Sequence, residues 1–228
     1  MPSCFLYSTS PSPHGELMVD LAKSTRDRTS GPVRITALLT ADPEPTAAGL
    51  EMLRDHFCGS SSAVLIDAGI RERGDASCPE AVRLLSQADL ILIGGGDPQR
   101  LRDHLSATPA QEALRQNWLD GAVVAGCSAG AAVLGSGMIA RARDGSGLLK
   151  MWDWLDGSIV APHFGTYDVD PWLEAFPGRP LIGIPNDGMA LVGSSRRVQS
   201  LGPQPLTIFD LDRRPHLVPP GQGRELSP

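Results

Sequence analysis

The sequence predicts an α/β fold of three layers, with helices on both faces of a mostly parallel sheet. Two observations carry that prediction. Short, almost continuously apolar runs alternate with segments of helical periodicity through the first 135 residues, as strands buried on both faces require. Two of those runs end in glycine-rich turns that lead straight into helices, at Gly94-Gly95-Gly96 and at Gly126-Cys127-Ser128-Ala129-Gly130.

Each element follows from local residues. Phe5 to Thr9 is a short apolar strand running into Ser-Pro-rich loop sequence, and Glu16 to Lys23 has the composition of a helix. Val33 to Leu39 is a strand. In the helix expected over Thr46 to Phe57, Thr46 is the N-cap candidate and Leu50, Leu53 and Phe57 share a face. Ala63 to Asp67 is a strand, and Pro79 to Ala88 a helix with Ser77 as a nearby cap. Asp89 to Ile93 is a buried strand, followed by helices from Pro98 to Leu105 and from Pro109 to Leu119. Ala122 to Ala125 is the next strand, and Ser128 to Leu134 the helix it enters. Beyond Gly135 the helices thin out. Ile159 to Ala161, Leu181 to Ile184, Met189 to Val192 and Leu206 to Leu211 read as strands of an antiparallel extension or edge. The Pro-, Gly- and charge-rich tail 215–228 is expected to be flexible.

Composition narrows the function. The 228 residues suit a single domain with one sizeable core. A net charge of −6 disfavours electrostatic capture of nucleic acid or of an anionic membrane. No apolar run is long enough to span a bilayer, and the N-terminus lacks the basic start and apolar centre of a signal peptide. Cys4, Cys58, Cys78 and Cys127 show no metal-ligand spacing, so free thiols and a cytoplasmic location are expected.

The residues that carry chemistry come next. Gly126-Cys127-Ser128-Ala129-Gly130 is a G-x-S-x-G turn between a strand and a helix, a geometry that lifts one side chain clear of the sheet. Ser128 is the candidate nucleophile, and the N–H of Ala129 a candidate oxyanion donor at a helix start. Cys127 reads as a small buried hydrophobe. The second glycine turn offers Gly96 as the other oxyanion donor. It matches neither G-x-G-x-x-G nor the phosphate-binding loop, because the lysine is missing, which disfavours a nucleotide site. Among five histidines, His163 ends an apolar strand and is the candidate base, while His56 and His104 read as solvated. The acid is open: Asp187 in Pro185-Asn186-Asp187-Gly188 leads, Asp144 is the alternative, and Asp153 and Asp168 follow. Asp187 equally suits a simple hairpin turn.

Taken in order, these segments resemble the serine peptidases of the dipeptidase E and cyanophycinase family, related in fold to class I glutamine amidotransferases. The resemblance rests on Phe5 to Pro11, Gly94 to Asp97 with Gln99-Arg100-Leu101, the elbow Gly126 to Gly130, Pro162-His163-Phe164 and Gly183 to Gly188. It implies a flavodoxin-like three-layer fold and a Ser-His-Glu type triad, with Ser128 as nucleophile, His163 as base, Gly96 and Ala129 at the oxyanion, and Asp187 where the family has glutamate. It also implies hydrolysis of a small peptide, an Asp-Xaa dipeptide or an isopeptide, with no cofactor and no metal, and leaves room for a homodimer. Asp97 stands where dipeptidase E has asparagine, which makes it a candidate substrate-binding residue or alternative acid. The stretch after His163 lacks the arginines typical of cyanophycinase, leaving Arg141 and Arg143 as cations for an acidic substrate. A catalytically inactive binding or regulatory domain of the same fold is the alternative reading.

Overall fold

The computed structural model describes residues 3–9, 14–25, 31–59, 63–139, 147–193 and 196–226. The strands are β1 (Cys4–Tyr7), β2 (Val33–Leu38), β3 (Ala63–Asp67), β4 (Leu90–Ile93), β5 (Val123–Cys127), β6 (Gly137–Ile139), β7 (Leu148–Lys150), β8 (Ile159–Pro162), β9 (Leu181–Ile184), β10 (Met189–Val192), β11 (Arg197–Ser200), β12 (Leu206–Phe209), β13 (Pro215–Val218) and β14 (Gly223–Glu225). The helices are α1 (Gly15–Thr25), α2 (Ala47–Cys58), α3 (Pro79–Gln87), α4 (Pro98–Leu105), α5 (Pro109–Leu119), α6 (Ala129–Ala132) and α7 (Asp170–Ala175).

The main sheet has eight strands in the order β14-β11-β10-β1-β5-β4-β2-β3. Its five strands β1, β5, β4, β2 and β3 are parallel, and β10, β11 and β14 extend it antiparallel. The alternation of side chains along these strands divides the core into two. Leu6, Ile91, Ile93 and Val124 face one side, beneath Leu85, Leu101 and Leu114 of α3, α4 and α5. Phe5, Tyr7, Leu90, Leu92 and Val123 face the other, beneath Met18 and Val19 of α1 and Phe57 of α2. That is the three-layer α/β arrangement the apolar runs predicted.

Local signals explain most element ends. Thr46 Oγ1 accepts from Gly49 N at 3.0 Å, capping α2 as expected. Ser77 does not cap α3; it lies in a short 3₁₀ turn, and Pro79 starts the helix behind Cys78. The buried Asp89, fully shielded, accepts from Arg34 N at 2.8 Å and from its guanidinium, which fixes the entry to β4. His56 is half-buried rather than solvated, its ring against Phe57 and closed over Gly15.

The second half holds more structure than its sequence suggested. A four-stranded sheet, β13-β12-β9-β8, packs beside the first, with β8 and β9 parallel. A hairpin of β6 and β7 adds a third, small sheet. Between 215 and 226 the tail forms paired strands. Β13 pairs with β12 and β14 with β11, and Asp210 receives Arg224 Nη2 at 2.5 Å and His216 Nε2 at 3.3 Å. Proline is tolerated there because Pro215 is the first residue of an edge strand, where no ladder hydrogen bond is lost.

All four cysteines are free. Cys4 and Cys127 lie buried in β1 and β5, and desolvation pushes both thiols up to about 12. Their folded-state values exceed the ordinary thiol value of 9.0, so the folded chain holds more protons than the unfolded one between about 9 and about 12. Stability contributed this way is complete below that window and is lost as pH rises through it. Urea midpoints measured from pH 8 upward should fall steadily above about pH 9, and less steeply in Cys4→Ala; equal slopes would refute the assignment to Cys4.

Candidate active site

Three parallel strands, β4, β5 and β1, lie side by side, and their C-terminal ends build one half of the site. This is the edge at which open α/β sheets bind ligands. β5 delivers Ser128 on a sharp turn. Its backbone, with φ 48° and ψ −109°, lies in a region non-glycine residues rarely occupy, at a cost of about 1–3 kcal/mol. Ser128 N donates to Tyr7 O at 2.8 Å, and Ser128 O accepts from Ala131 N and Ala132 N at 2.9 Å. The elbow is therefore tied both to the neighbouring strand and to the helix it starts. Gly130 is required by the closeness of the layers: a Cβ there would meet Ile93 O at 2.1 Å. α6 is a single turn, shorter than the helix expected to Leu134, so its contribution near Ser128 is individual N–H groups rather than a long dipole.

The other half comes from the second sheet. The parallel neighbours β8 and β9 end together, and the loops beyond them carry His163 and Asn186. His163 also has a positive φ, 57°. Its Nε2 lies 2.8 Å from Ser128 Oγ, and its Nδ1 lies 2.7 Å from Asn186 Oδ1. An amide oxygen can only accept, so this contact places the imidazole proton on Nδ1 and leaves the Nε2 lone pair facing the serine hydroxyl. Both ring nitrogens are thereby used, and the chain Ser128–His163–Asn186 is continuous.

The loop after β1 joins the two halves. Ser8 Oγ accepts from His163 N at 3.0 Å and donates to Ile184 O at 2.8 Å. Thr9 Oγ1 donates to Asn186 O at 2.6 Å. Thr166 and Tyr167 close the turn from below, with Thr166 Oγ1 on His163 O and Tyr167 Oη on Pro162 O, both at 2.7 Å. Ser8 and Thr9 fall within the segment Phe5 to Pro11 that carried the resemblance, but no role was read for them in the sequence, nor for Thr166 and Tyr167.

A cleft of about 450 Å³ opens onto Ser128 and His163. Gly96 and Ala129, the expected oxyanion donors, both line it. Ala129, as the first helical residue, has an N–H without an intrahelical acceptor. Gly96 has φ +134°, and a Cβ there would meet Ala41 O at 2.5 Å, which brings bare backbone to the cleft. Three other expectations need correction. Asp187 is exposed, and the atom that meets His163 Nδ1 belongs to its neighbour Asn186. The hairpin-like turn, with Gly188 N donating to Pro185 O at 2.8 Å, presents the first of the two residues to the imidazole. Asp97 is the N-cap of α4, its Oδ1 accepting from Gln99 N at 2.8 Å, and it does not line the cleft. Asp153, also in positive φ, accepts from Gly157 N at 3.0 Å in a distant turn. Asp144, Arg141 and Arg143 fall outside the described residues. Cys127 points into the core on the α1 and α2 side, away from the chemistry of its neighbour.

A serine on a strained strand-to-helix elbow, hydrogen-bonded to an oriented histidine at the C-terminal edge of a parallel sheet, defines the class: a serine-type hydrolase fold and site. The comparisons make this particular. The family model for peptidase family S51 matches residues 45–199, and the chain belongs to that family. It is a serine-type peptidase. It is 32% identical over 202 residues to the cyanophycinase of Nostoc sp. strain PCC 7120, an alignment covering 83% of this chain and 67% of the relative. A cyanophycinase of Synechococcus elongatus is 31% identical over 196 residues, covering 77% of this chain and 58% of the relative. In fold, the chain matches the crystal structure of a peptidase from an acI-B1 actinobacterium with a TM-score of 0.83 and 23% identity, covering 99% of this chain and 97% of the other.

Ser8→Ala should destabilise the chain, because it strips the acceptor from the half-buried His163 N–H. The expected cost is about 1–3 kcal/mol, read as a lower urea midpoint at unchanged slope. An unchanged midpoint would show that Ser8 does not hold the loop.

Proposed function

We propose that the chain hydrolyses a small peptide or isopeptide by acyl transfer through Ser128, His163 and Asn186. The observation that carries this reading is the pair of contacts at His163, 2.8 Å to Ser128 Oγ and 2.7 Å to Asn186 Oδ1. Ser128 attacks the scissile carbonyl while His163 Nε2 takes its proton. The imidazolium then protonates the leaving amine, and water repeats the sequence on the acyl-serine. The N–H groups of Gly96 and Ala129, on the wall beside Ser128, hold the tetrahedral oxyanion. Asn186 fixes the ring and its tautomer but brings no negative charge, so in this chain the third member orients the base without a carboxylate's electrostatic support.

The size of the cleft suits a dipeptide or a short branched segment better than a folded protein chain. Membership of peptidase family S51 supports a dipeptide or an isopeptide as the class of substrate. Four unpaired thiols suit a reducing compartment, which supports a cytoplasmic setting. Among the described residues, no helix is long and apolar enough to cross a membrane.

Ser128→Ala should abolish turnover of a dipeptide and isopeptide panel while leaving the melting transition in place. A residual rate equal to the parent's would overturn the mechanism. Asn186→Ala should lower kcat about ten-fold with little change in KM, the kinetic equivalent of one lost orienting hydrogen bond. Asn186→Asp should recover at least the parent rate; a parent-like rate in Asn186→Ala would remove Asn186 from the triad.

A further inference from the structure

The loop that carries Gly96 has no side chains of its own to hold it. Gly94-Gly95-Gly96 leaves β4 as bare backbone, with all the conformational freedom of glycine. An oxyanion donor nevertheless has to stand within hydrogen-bond reach of one transient atom. Gly95 lies against the nucleophile, where a Cβ would meet Ser128 Cβ at 3.4 Å, and Gly96 lines the cleft. Neither of their N–H groups has a backbone acceptor among the described residues. The bonds that locate the loop sit at its two ends. Gly94 N donates to Leu38 O and Asp97 N to Ala41 O, each at 2.9 Å. The loop therefore takes its position from the segment that follows β2.

Two side chains fix that segment. Thr40 is fully buried, and its Oγ1 donates to Ile70 O at 2.8 Å, tying the segment to the loop after β3. Its carbonyl accepts from Arg100 Nε at 3.2 Å, and Arg100 Nη2 donates to Arg71 O at 2.9 Å. Both acceptors are backbone carbonyls, so the rigid fork of the guanidinium braces two loops at once. Arg100 stands in α4, the helix that the glycine loop enters. The connections close a ring, from Gly96 into α4, through Arg100 to Thr40, and through Ala41 O back to Asp97 N. Neither Thr40 nor Arg100 is among the described residues that line the cleft. We propose that Thr40 and Arg100 are positioning residues for the hydrolysis, holding the segment after β2 as a fixed bed that aims the Gly96 N–H at the oxyanion. The inference rests on the peptidase reading above and extends it to the residues behind the oxyanion donor. A displaced donor weakens a hydrogen bond made in the transition state and leaves ground-state binding as it was, so kcat carries the loss.

Steady-state rates on Asp-Ala, Leu-Ala and β-aspartyl-alanine test this, with Ser128→Ala as the blank. Each preparation is counted by end-point fluorophosphonate titration of its reactive serine, so that unfolded protein does not enter kcat. Thr40→Val keeps the shape and removes the hydroxyl; Arg100→Met keeps the stem and removes the guanidinium. On the substrate the parent turns over fastest, each should lower kcat per titrated site about ten-fold with KM unchanged, a part of the roughly hundred-fold or greater loss that deleting an oxyanion donor causes. Thr40→Ser keeps the donor and should restore the parent kcat. If Thr40→Val does not fold, Arg100→Met, at a half-buried site, carries the comparison. A parent-like kcat per titrated site in either folded variant, a loss confined to KM, or no recovery in Thr40→Ser would overturn the positioning role while leaving the peptidase reading intact. Absence of Ser128-dependent turnover of all three substrates by the parent would overturn that reading and the positioning role with it.

Discussion

The site depends on one contact made between the ends of two different sheets. Ser128 belongs to the eight-stranded sheet and His163 to the four-stranded one, yet their side chains meet at 2.8 Å. Neither sheet alone contains both the serine and the histidine. The packing of the two sheets therefore sets the geometry, and the residues that fix that packing matter as much as the reacting atoms. Ser8 reaches from the end of β1 to His163 N and Ile184 O, and Thr9 reaches to Asn186 O. Two adjacent hydroxyls at the end of one sheet thus hold three residues at the end of the other, each by its backbone. Orientation of this kind is what converts a weak nucleophile into a useful one.

Strain is concentrated at the same point. Both Ser128 and His163 have positive φ, at 48° and 57°. Such conformations persist only where the surroundings over-determine them. Here Ser128 is held by Tyr7 O and by its own α6 turn, while His163 is held by Ser8 and Thr166. The glycine at 130 lets the turn sit against Ile93 O, closer than any side chain would permit. The layers, the elbow and the loop over β8 form one mechanical unit, and the energy stored in its backbone is balanced by burial around it.

The parallel core was legible because its strands are short apolar runs and its helices carry caps and periodic faces. The elbow was legible because G-x-S-x-G, a strand before it and small residues after it are all local signals. His163 was readable as a histidine closing an apolar strand. The partner of the His163 ring was not. Asn186 and Asp187 are adjacent in one turn, and which of them faces the ring depends on how that turn leaves β9, a tertiary fact. A carboxylate is also the residue type that triad chemistry leads one to expect, so the charged neighbour drew the assignment. Asp97 misled for a related reason: an Asp before Pro at a helix start is a cap, and the cap took its carboxylate. The ordered tail escaped because strand pairing of its Pro- and Gly-rich segments is set by distant partners, β11 and β12, and by Asp210.

On the proposed mechanism, His163 and the elbow make Ser128, and not the adjacent thiol, the reactive group. Burial that pushes the Cys127 thiol up to about 12 keeps it protonated and inert. Treating the folded protein with a fluorophosphonate and mapping the adduct by peptide mass spectrometry tests this most directly. A single adduct on Ser128 is expected, formed at least a hundred-fold more slowly in His163→Ala, in keeping with the scale of general-base assistance. Labelling of Ser128 at the same rate without His163, or no adduct on the folded chain at all, would contradict it.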